Sequence, residues 1–459
     1  MSDPPTAARD HARPRRSTRL VAIALVGLGI GLVCELGSWV ALGVLWGRLS
    51  GPATQIERVR SRASGVAHET AGPEPEMVAA VFTDEMLHPY LGFVMEPGSQ
   101  LPDQRFDEAA AQYGFTRSFE PLFHQPDPGL FVVGVVGGSV ANIFATTGVR
   151  ALREELRKSP QVAGKRIAVV NAAVPGFKQP QQLLTLSYLL ALGAHFDLVL
   201  AIDGFNEVAL PASENVPLGV FPAYPRSWLA LVGEYDEELR RAVGELAYLR
   251  RVRSERANWL LQSPLRWSFS ARLVWDSLDR RLGRQIEKHQ AVVATRAEAG
   301  YRSPATQGPP YEAESRERLF QDLTSIWSRS SLAMAAMCRG RGIAYHHVLQ
   351  PNQYLPGSKP LGPEELERAW GEDHPYRQPV IEGYPHLIAA GAELRSRGVS
   401  FQDLTQVFAD IREPLYLDEC CHFNRAGNAL LGRAIGAELV NGPLRGSGPG
   451  FGIGNAGAP

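Results

Sequence analysis

Cysteine is scarce in this chain of 459 residues: there are four, at positions 34, 338, 420 and 421. No two stand in C-x-x-C spacing, and no strong metal-binding signature appears. Net charge is scarcer still. The 47 Lys and Arg balance 48 Asp and Glu to a formal −1, which excludes a strongly basic nucleic-acid binder as the default reading. No repeat recurs at any period. An apolar content of 44% excludes wholesale disorder.

The near-zero charge is unevenly spread. Residues 1–62 hold nine Arg against Asp3, Asp10, Glu35 and Glu57, a net of +5, while the remainder holds 38 basic and 44 acidic side chains. Leu20 to Trp46 is apolar apart from Glu35 and a few Ser and Gly residues. It is long enough to cross roughly 30 Å of hydrocarbon with some tilt. It follows the Arg-rich segment 1–19, the n-region pattern of a signal sequence or signal anchor. No A-x-A-like cleavage site follows Trp46, so residues 20–46 are expected to remain as a single-pass anchor in a cell inner membrane. Residues 1–19 would be cytoplasmic and the bulk of the chain periplasmic, or otherwise extracytoplasmic. The orientation signal is imperfect, because Arg48, Arg58, Arg60 and Arg62 follow the span. Glu35, near the middle of the span, is read either as a neutral acid tolerated by its apolar helix or as a contact with a membrane-protein partner. In an oxidising compartment, Cys338, Cys420 and Cys421 permit one disulfide, with its pairing open.

Residues 47–83 are polar and read as a stalk. From 84 to 442 the pattern is that of one α/β domain. Leu130–Val136, Arg166–Val174 and Phe196–Asp203 are apolar runs without polar alternation, as expected of parallel strands buried on both faces. Helical patterns separate them, and the β-α-β-α-β rhythm predicts a parallel sheet covered by helices. Residues 208–314 break the rhythm with amphipathic helices around 234–252, 255–262 and 270–298, a helical insertion at the sheet's edge or mouth. Strands return at 343–349 and 399–402, and a last helix ends near Val440. The Gly-rich tail 443–459 reads as disordered.

Four features lie where ligands bind in such sheets, at or near the carboxyl ends of strands. Ser139 ends the first strong strand and opens a helix, near backbone N–H donors. Alone it could be a tight turn with a helix cap. Gly176 lets the backbone approach a substrate closely enough to aim an N–H at an oxyanion, or simply makes a turn. Asn206 could donate its amide to the same oxyanion, or form an Asx-turn. His422 follows Asp418 and Glu419, so acid and imidazole share one loop. The acid would fix the tautomer while the other ring nitrogen takes a serine proton. Gly137-Gly-Ser-Val-Ala141 nearly matches the G-x-S-x-G elbow of α/β-hydrolases. There, however, acid and histidine come from separate loops.

In this order the four features resemble the SGNH (GDSL-like) hydrolase family. Gly-Gly-Ser139 resembles its nucleophile block, and Asn171-Ala-Ala-Val-Pro-Gly176 its glycine block. Asp203-Gly-Phe-Asn206 is similar to the asparagine block, and Asp418…His422 to the acid–histidine block. The resemblance covers about 130–440, with a weaker match at Leu349-Gln-Pro-Asn-Gln-Tyr and an upstream Tyr90-Leu-Gly-Phe of the membrane-anchored bacterial type. It implies a flavodoxin-like three-layer parallel sheet, Ser139 as nucleophile and His422 as base. It further implies an oxyanion hole from the Ser139 and Gly176 N–H groups with the Asn206 amide, and no cofactor or metal. The family acid usually stands three residues before the histidine, which here is Glu419. Asp418, four before it, is favoured because a bulged loop could absorb the extra cysteine. The expected activity is hydrolysis of an ester, of a carbohydrate or lipid. Acyl transfer onto an envelope polysaccharide and a non-catalytic binding subunit are the alternatives.

Overall fold

A computed structural model describes residues 16–46, 49–63, 85–97, 106–232, 237–299 and 305–445. The first fifteen residues of the basic segment, residues 64–83 of the expected stalk and the tail beyond 445 lie outside the described residues. The chain divides into two compact units, one of residues 1–71 with 245–288 and one of 72–244 with 289–459.

In the larger unit the expected mixed α/β class is present. Strands β1 (Glu85–His88) and β2 (Gly92–Met95) form an antiparallel hairpin. Five further strands make one parallel sheet: β3 (Leu130–Gly137), β4 (Arg166–Asn171), β5 (Leu198–Asp203), β6 (Ala344–Leu349) and β7 (Phe401–Asp403). Their order across the sheet is β4-β3-β5-β6-β7. Every residue of β3, β5 and β6 is buried, which is why these strands read as unbroken apolar runs rather than as alternation. From β3 the chain goes to one side, to β4, and then returns to β5 on the other. The crevice beyond the carboxyl ends of β3 and β5 is therefore the switch point where such sheets bind ligands.

One polar knot is set into this core. Asp203, at the end of β5, accepts from Trp327 Nε1 at 2.8 Å and lies 2.8 Å from His347 Nε2 on β6. His347 Nδ1 lies 2.8 Å from Ser331 Oγ. Trp327 and Ser331 belong to the helix Arg316–Gly340, so the knot ties that helix to two neighbouring strands. All its groups have partners, as burial in a low-dielectric interior requires.

The smaller unit begins with the helix Arg16–Leu45. Its segment Ala24–Leu45, with a mean hydropathy of 1.9, is long and apolar enough to cross a membrane. Within the expected stalk, Pro52–Ala63 is a helix, with Gln55 and Val59 buried. The expected insertion is helical where it is described. Its two long helices, Glu237–Gln262 and Phe269–Ala299, form a hairpin whose 245–288 portion belongs to this unit. Glu35 finds a partner within the chain. Its carboxylate accepts from Ser268 Oγ at 2.6 Å, from the Phe269 N–H at 2.6 Å and from the Ser270 N–H at 3.4 Å. It thus caps the first turn of the helix Phe269–Ala299, whose N–H groups have no intrahelical acceptor.

Candidate active site

Ser139 is the first residue of the helix Ser139–Thr147, immediately after β3. Two glycines make this corner possible. Gly137 has φ of 150°, and a Cβ there would stand 2.2 Å from the Ile202 carbonyl oxygen. A Cβ on Gly138 would stand 2.1 Å from Asn206 Nδ2, so the Asn206 amide occupies the space a side chain beside Ser139 would need.

His422 comes from the far end of the chain. Its Nε2 lies 2.7 Å from Ser139 Oγ, and its Nδ1 lies 2.5 Å from Asp418 Oδ2. A carboxylate accepts but cannot donate. In the neutral imidazole the proton therefore sits on Nδ1, and the Nε2 lone pair faces the serine hydroxyl. The other Asp418 oxygen accepts from the backbone N–H groups of Cys420, Cys421 and His422 at 3.0, 3.1 and 3.3 Å. The loop is wound around its own acid. This settles which carboxylate touches the imidazole: Asp418 does, and Glu419 lies 3.9 Å from His374 instead.

The electrostatics follow from that pairing. Burial by itself works against both charges. It is outweighed on Asp418 by the His422 imidazole and by N–H bonds from His422 and Cys421, which hold the carboxyl at about 2. Asp418 in turn lifts His422 to about 9 against the burial that would lower it. Burial raises Cys420 and Cys421 above the ordinary thiol value. Both stay protonated at neutral pH, which makes them weak nucleophiles. All four cysteines are unpaired, with the sulfurs of Cys420 and Cys421 3.1 Å apart. Cys420, Cys421 and His422 bring three ligand atoms within 4.8 Å of one another. Both His422 nitrogens are already engaged by Asp418 and Ser139, so an ion could bind His422 here only by displacing one of these contacts.

The remaining expected residues converge on the same corner. Gly176 has φ of 81° in the turn after β4. Asn206 donates Nδ2 to the carbonyl of Phe177 at 2.7 Å, so the amide, the glycine turn and the residue before Ser139 lie side by side. Asn142, in the serine helix, donates to the Ala173 carbonyl at 2.8 Å, and Asn171 donates to the Asn142 carbonyl at 3.1 Å. The serine helix and the glycine turn are thereby locked together. The Leu349–Tyr354 stretch holds the histidine loop. Asn352 donates to the Cys420 carbonyl at 3.0 Å and Gln353 to the Asp418 carbonyl at 2.9 Å. Phe93, from the upstream Tyr90-Leu-Gly-Phe segment, packs edge-on against Phe177.

Three side chains were missed by sequence reasoning. A Cβ on Gly176 would stand 2.4 Å from Arg226 Cδ, so the Arg226 side chain lies against the glycine turn. Arg226 donates to Glu214 at 2.8 Å, and Tyr376 donates to the same oxygen at 2.6 Å. Burial opposes the guanidinium charge, and Glu214 keeps it protonated all the same. Residues 214 and 226 lie inside the expected insertion, and no local motif connects them to position 176.

No protein-family model matches the chain, and no curated protein does. The chemistry is read from the site alone.

Proposed function

We propose that this chain is a membrane-anchored serine esterase or acyl hydrolase of the SGNH type. The observation that carries the reading is the unbroken relay Ser139–His422–Asp418, with contacts of 2.7 and 2.5 Å. The sheet order supports it. Counting β3 as the first strand, the order is 2-1-3-4-5, that of flavodoxin-like doubly wound sheets.

In this reading Ser139 Oγ attacks the ester carbonyl carbon while His422 Nε2 takes its proton. The oxyanion forms beside the Ser139 and Gly176 N–H groups and the second N–H of the Asn206 amide. His422 passes the proton to the leaving alcohol oxygen. Water then attacks the acyl-serine, gives its proton to His422, and the carboxylic acid departs as Ser139 recovers its hydrogen. Asp418 holds the imidazole in the required tautomer and stabilises the imidazolium. A non-catalytic subunit of the same fold would be favoured by a long Ser139–His422 separation, and 2.7 Å favours catalysis. Transfer to a glycan or lipid acceptor uses the same acyl-enzyme, with the acceptor hydroxyl in place of water. A membrane-protein partner at Glu35 would have to bind over the helix-capping bonds made there.

The test is turnover of an activated acetyl ester by the full chain. Ser139→Ala should lower the rate by at least about 10³-fold. Undiminished turnover in purified Ser139→Ala protein would end the proposal. Acylated product appearing only when a sugar acceptor is added would favour transfer.

A further inference from the structure

The hairpin of the smaller unit is apolar on both faces near its tip. Leu260 and Trp275 pack inward with Val59 and Ala257, while Trp259 is 64% exposed, Leu265 46%, Trp267 59%, Val274 61% and Leu278 40%. Three charged side chains of the adjoining helix turn inward. Arg272 donates to the carbonyls of Ser268, Trp267 and Pro52 at 3.1, 3.2 and 3.1 Å. Asp276 accepts from Trp46 Nε1 at 3.1 Å and from Arg280 at 2.8 Å. Asp279 accepts from Arg253 at 2.6 Å. A hairpin surrounded by water would carry polar side chains on that outer face.

The same hairpin is fastened along the apolar helix Arg16–Leu45. Glu35 caps its second helix at Phe269, Ser38 Oγ lies 3.1 Å from Ser270 Oγ, Trp39 meets Phe269 edge-on, and Trp46 reaches Asp276. The contacts therefore run in register from Glu35 to Trp46, about 16 Å of helix at 1.5 Å per residue. That is about half the thickness of a bilayer's hydrocarbon core. Glu35 lies at the midpoint of the apolar segment Ala24–Leu45. A helix start at that depth would leave N–H groups without water, and Glu35 supplies the acceptor they need. A groove lined by Leu273, Val274, Ser277, Leu278 and Arg281 lies on the exposed face. Residues 245–288 hold ten basic and five acidic side chains, a balance that favours anionic headgroups.

We propose that the hairpin tip, residues 259–278, is a second membrane-inserted element whose ligand is lipid. It dips into the leaflet that holds the C-terminal half of the span, as deep as Glu35, with Trp259, Leu265, Trp267, Val274 and Leu278 against acyl chains. Arg266, at the turn, folds back to donate to the Leu261 carbonyl at 3.1 Å and lies over the Trp267 ring, which shields its charge. The chain would then be held by a span and a re-entrant hairpin together. The inference rests on reading Arg16–Leu45 as a membrane span.

The full chain, reconstituted in nanodiscs of phosphatidylcholine and phosphatidylglycerol with brominated acyl chains, tests it through tryptophan quenching. The tryptophans nearest acyl chains should be quenched most: Trp39 and Trp46 of the span region, and the exposed Trp259 and Trp267 of the tip, with Trp275, buried within the tip, quenched less. Trp259→Phe with Trp267→Phe should remove about half of the quenchable intensity, and these exposed conservative changes leave the core packing untouched. An unchanged quenchable intensity in that double variant would overturn the proposal, whether water or another protein covers the tip. Loss of quenching in Trp39→Phe with Trp46→Phe checks the span separately. If that pair contributes nothing, the span reading fails rather than the tip alone.

Discussion

At the scale of single residues, the site turns on which carboxylate the imidazole meets. Asp418 bonds His422 and Glu419 does not. Asp418→Asn should therefore lower kcat by about 10⁴-fold through the wrong tautomer, while Glu419→Gln should stay within a few-fold of the parent in the same esterase assay. The pH profile carries a sign. The proposed mechanism needs a neutral His422, and Asp418 lifts that group from 6.5 to about 9. The limb of kcat/KM that rises with pH should then lie above the ordinary imidazole range, and Asp418→Asn should move it down. With Asp418 lowered from 3.8 to about 2, the pair's contribution to stability is complete between about pH 4 and pH 6.5; it is lost as pH climbs toward 9 and again as it falls toward 2, readable as a falling Tm on both sides. Asn206→Ala should cut kcat by about 10² to 10³ with little change in KM, since in the proposed mechanism its donor acts on the oxyanion. A change in KM alone would place Asn206 in ground-state binding.

At the scale of elements, legibility followed burial. Strands β3, β5 and β6, covered on both faces, were readable as continuous apolar runs. The short hairpin β1–β2 was not, because four-residue strands carry too little pattern. The last helix starts at Arg425, where the Asn424 side chain caps it by accepting from the Gly427 N–H at 3.0 Å. Ser139, Gly176, Asn206 and His422 were visible because each lies in a recognisable block between a strand and the helix that follows it, or at that helix's start. Arg226, Glu214 and Tyr376 were invisible because their meeting depends on tertiary packing across 163 positions of sequence, from 214 to 376. Asn352 and Gln353 show how one loop supports another. Gln353→Ala removes a buried donor from the Asp418 carbonyl and should cost about 1–3 kcal/mol in urea unfolding, together with a lower kcat. His347→Leu breaks the knot around Asp203 and should cost about 3 kcal/mol, with no change in labelling of Ser139 in whatever fraction remains folded.

At the scale of the whole molecule, the even balance of charges conceals two differently built units. The sheet unit holds the relay, and the smaller one joins the apolar N-terminal helix to residues 245–288. Glu35, the one acid in the apolar helix, binds the hairpin rather than standing alone. Glu35→Ala should speed amide hydrogen exchange at residues 268–270, where its three bonds are made. That pairing was not legible, since it links positions 233 to 235 residues apart through a helix cap. The central claim is that Ser139 is a nucleophile activated by His422. Labelling of the full, membrane-bound chain with a fluorophosphonate, read by peptide mass spectrometry, tests it most directly. One adduct on Ser139, absent in Ser139→Ala and strongly reduced in His422→Ala, is the predicted result. An unlabelled Ser139 in folded protein, or labelling indifferent to His422, would contradict it.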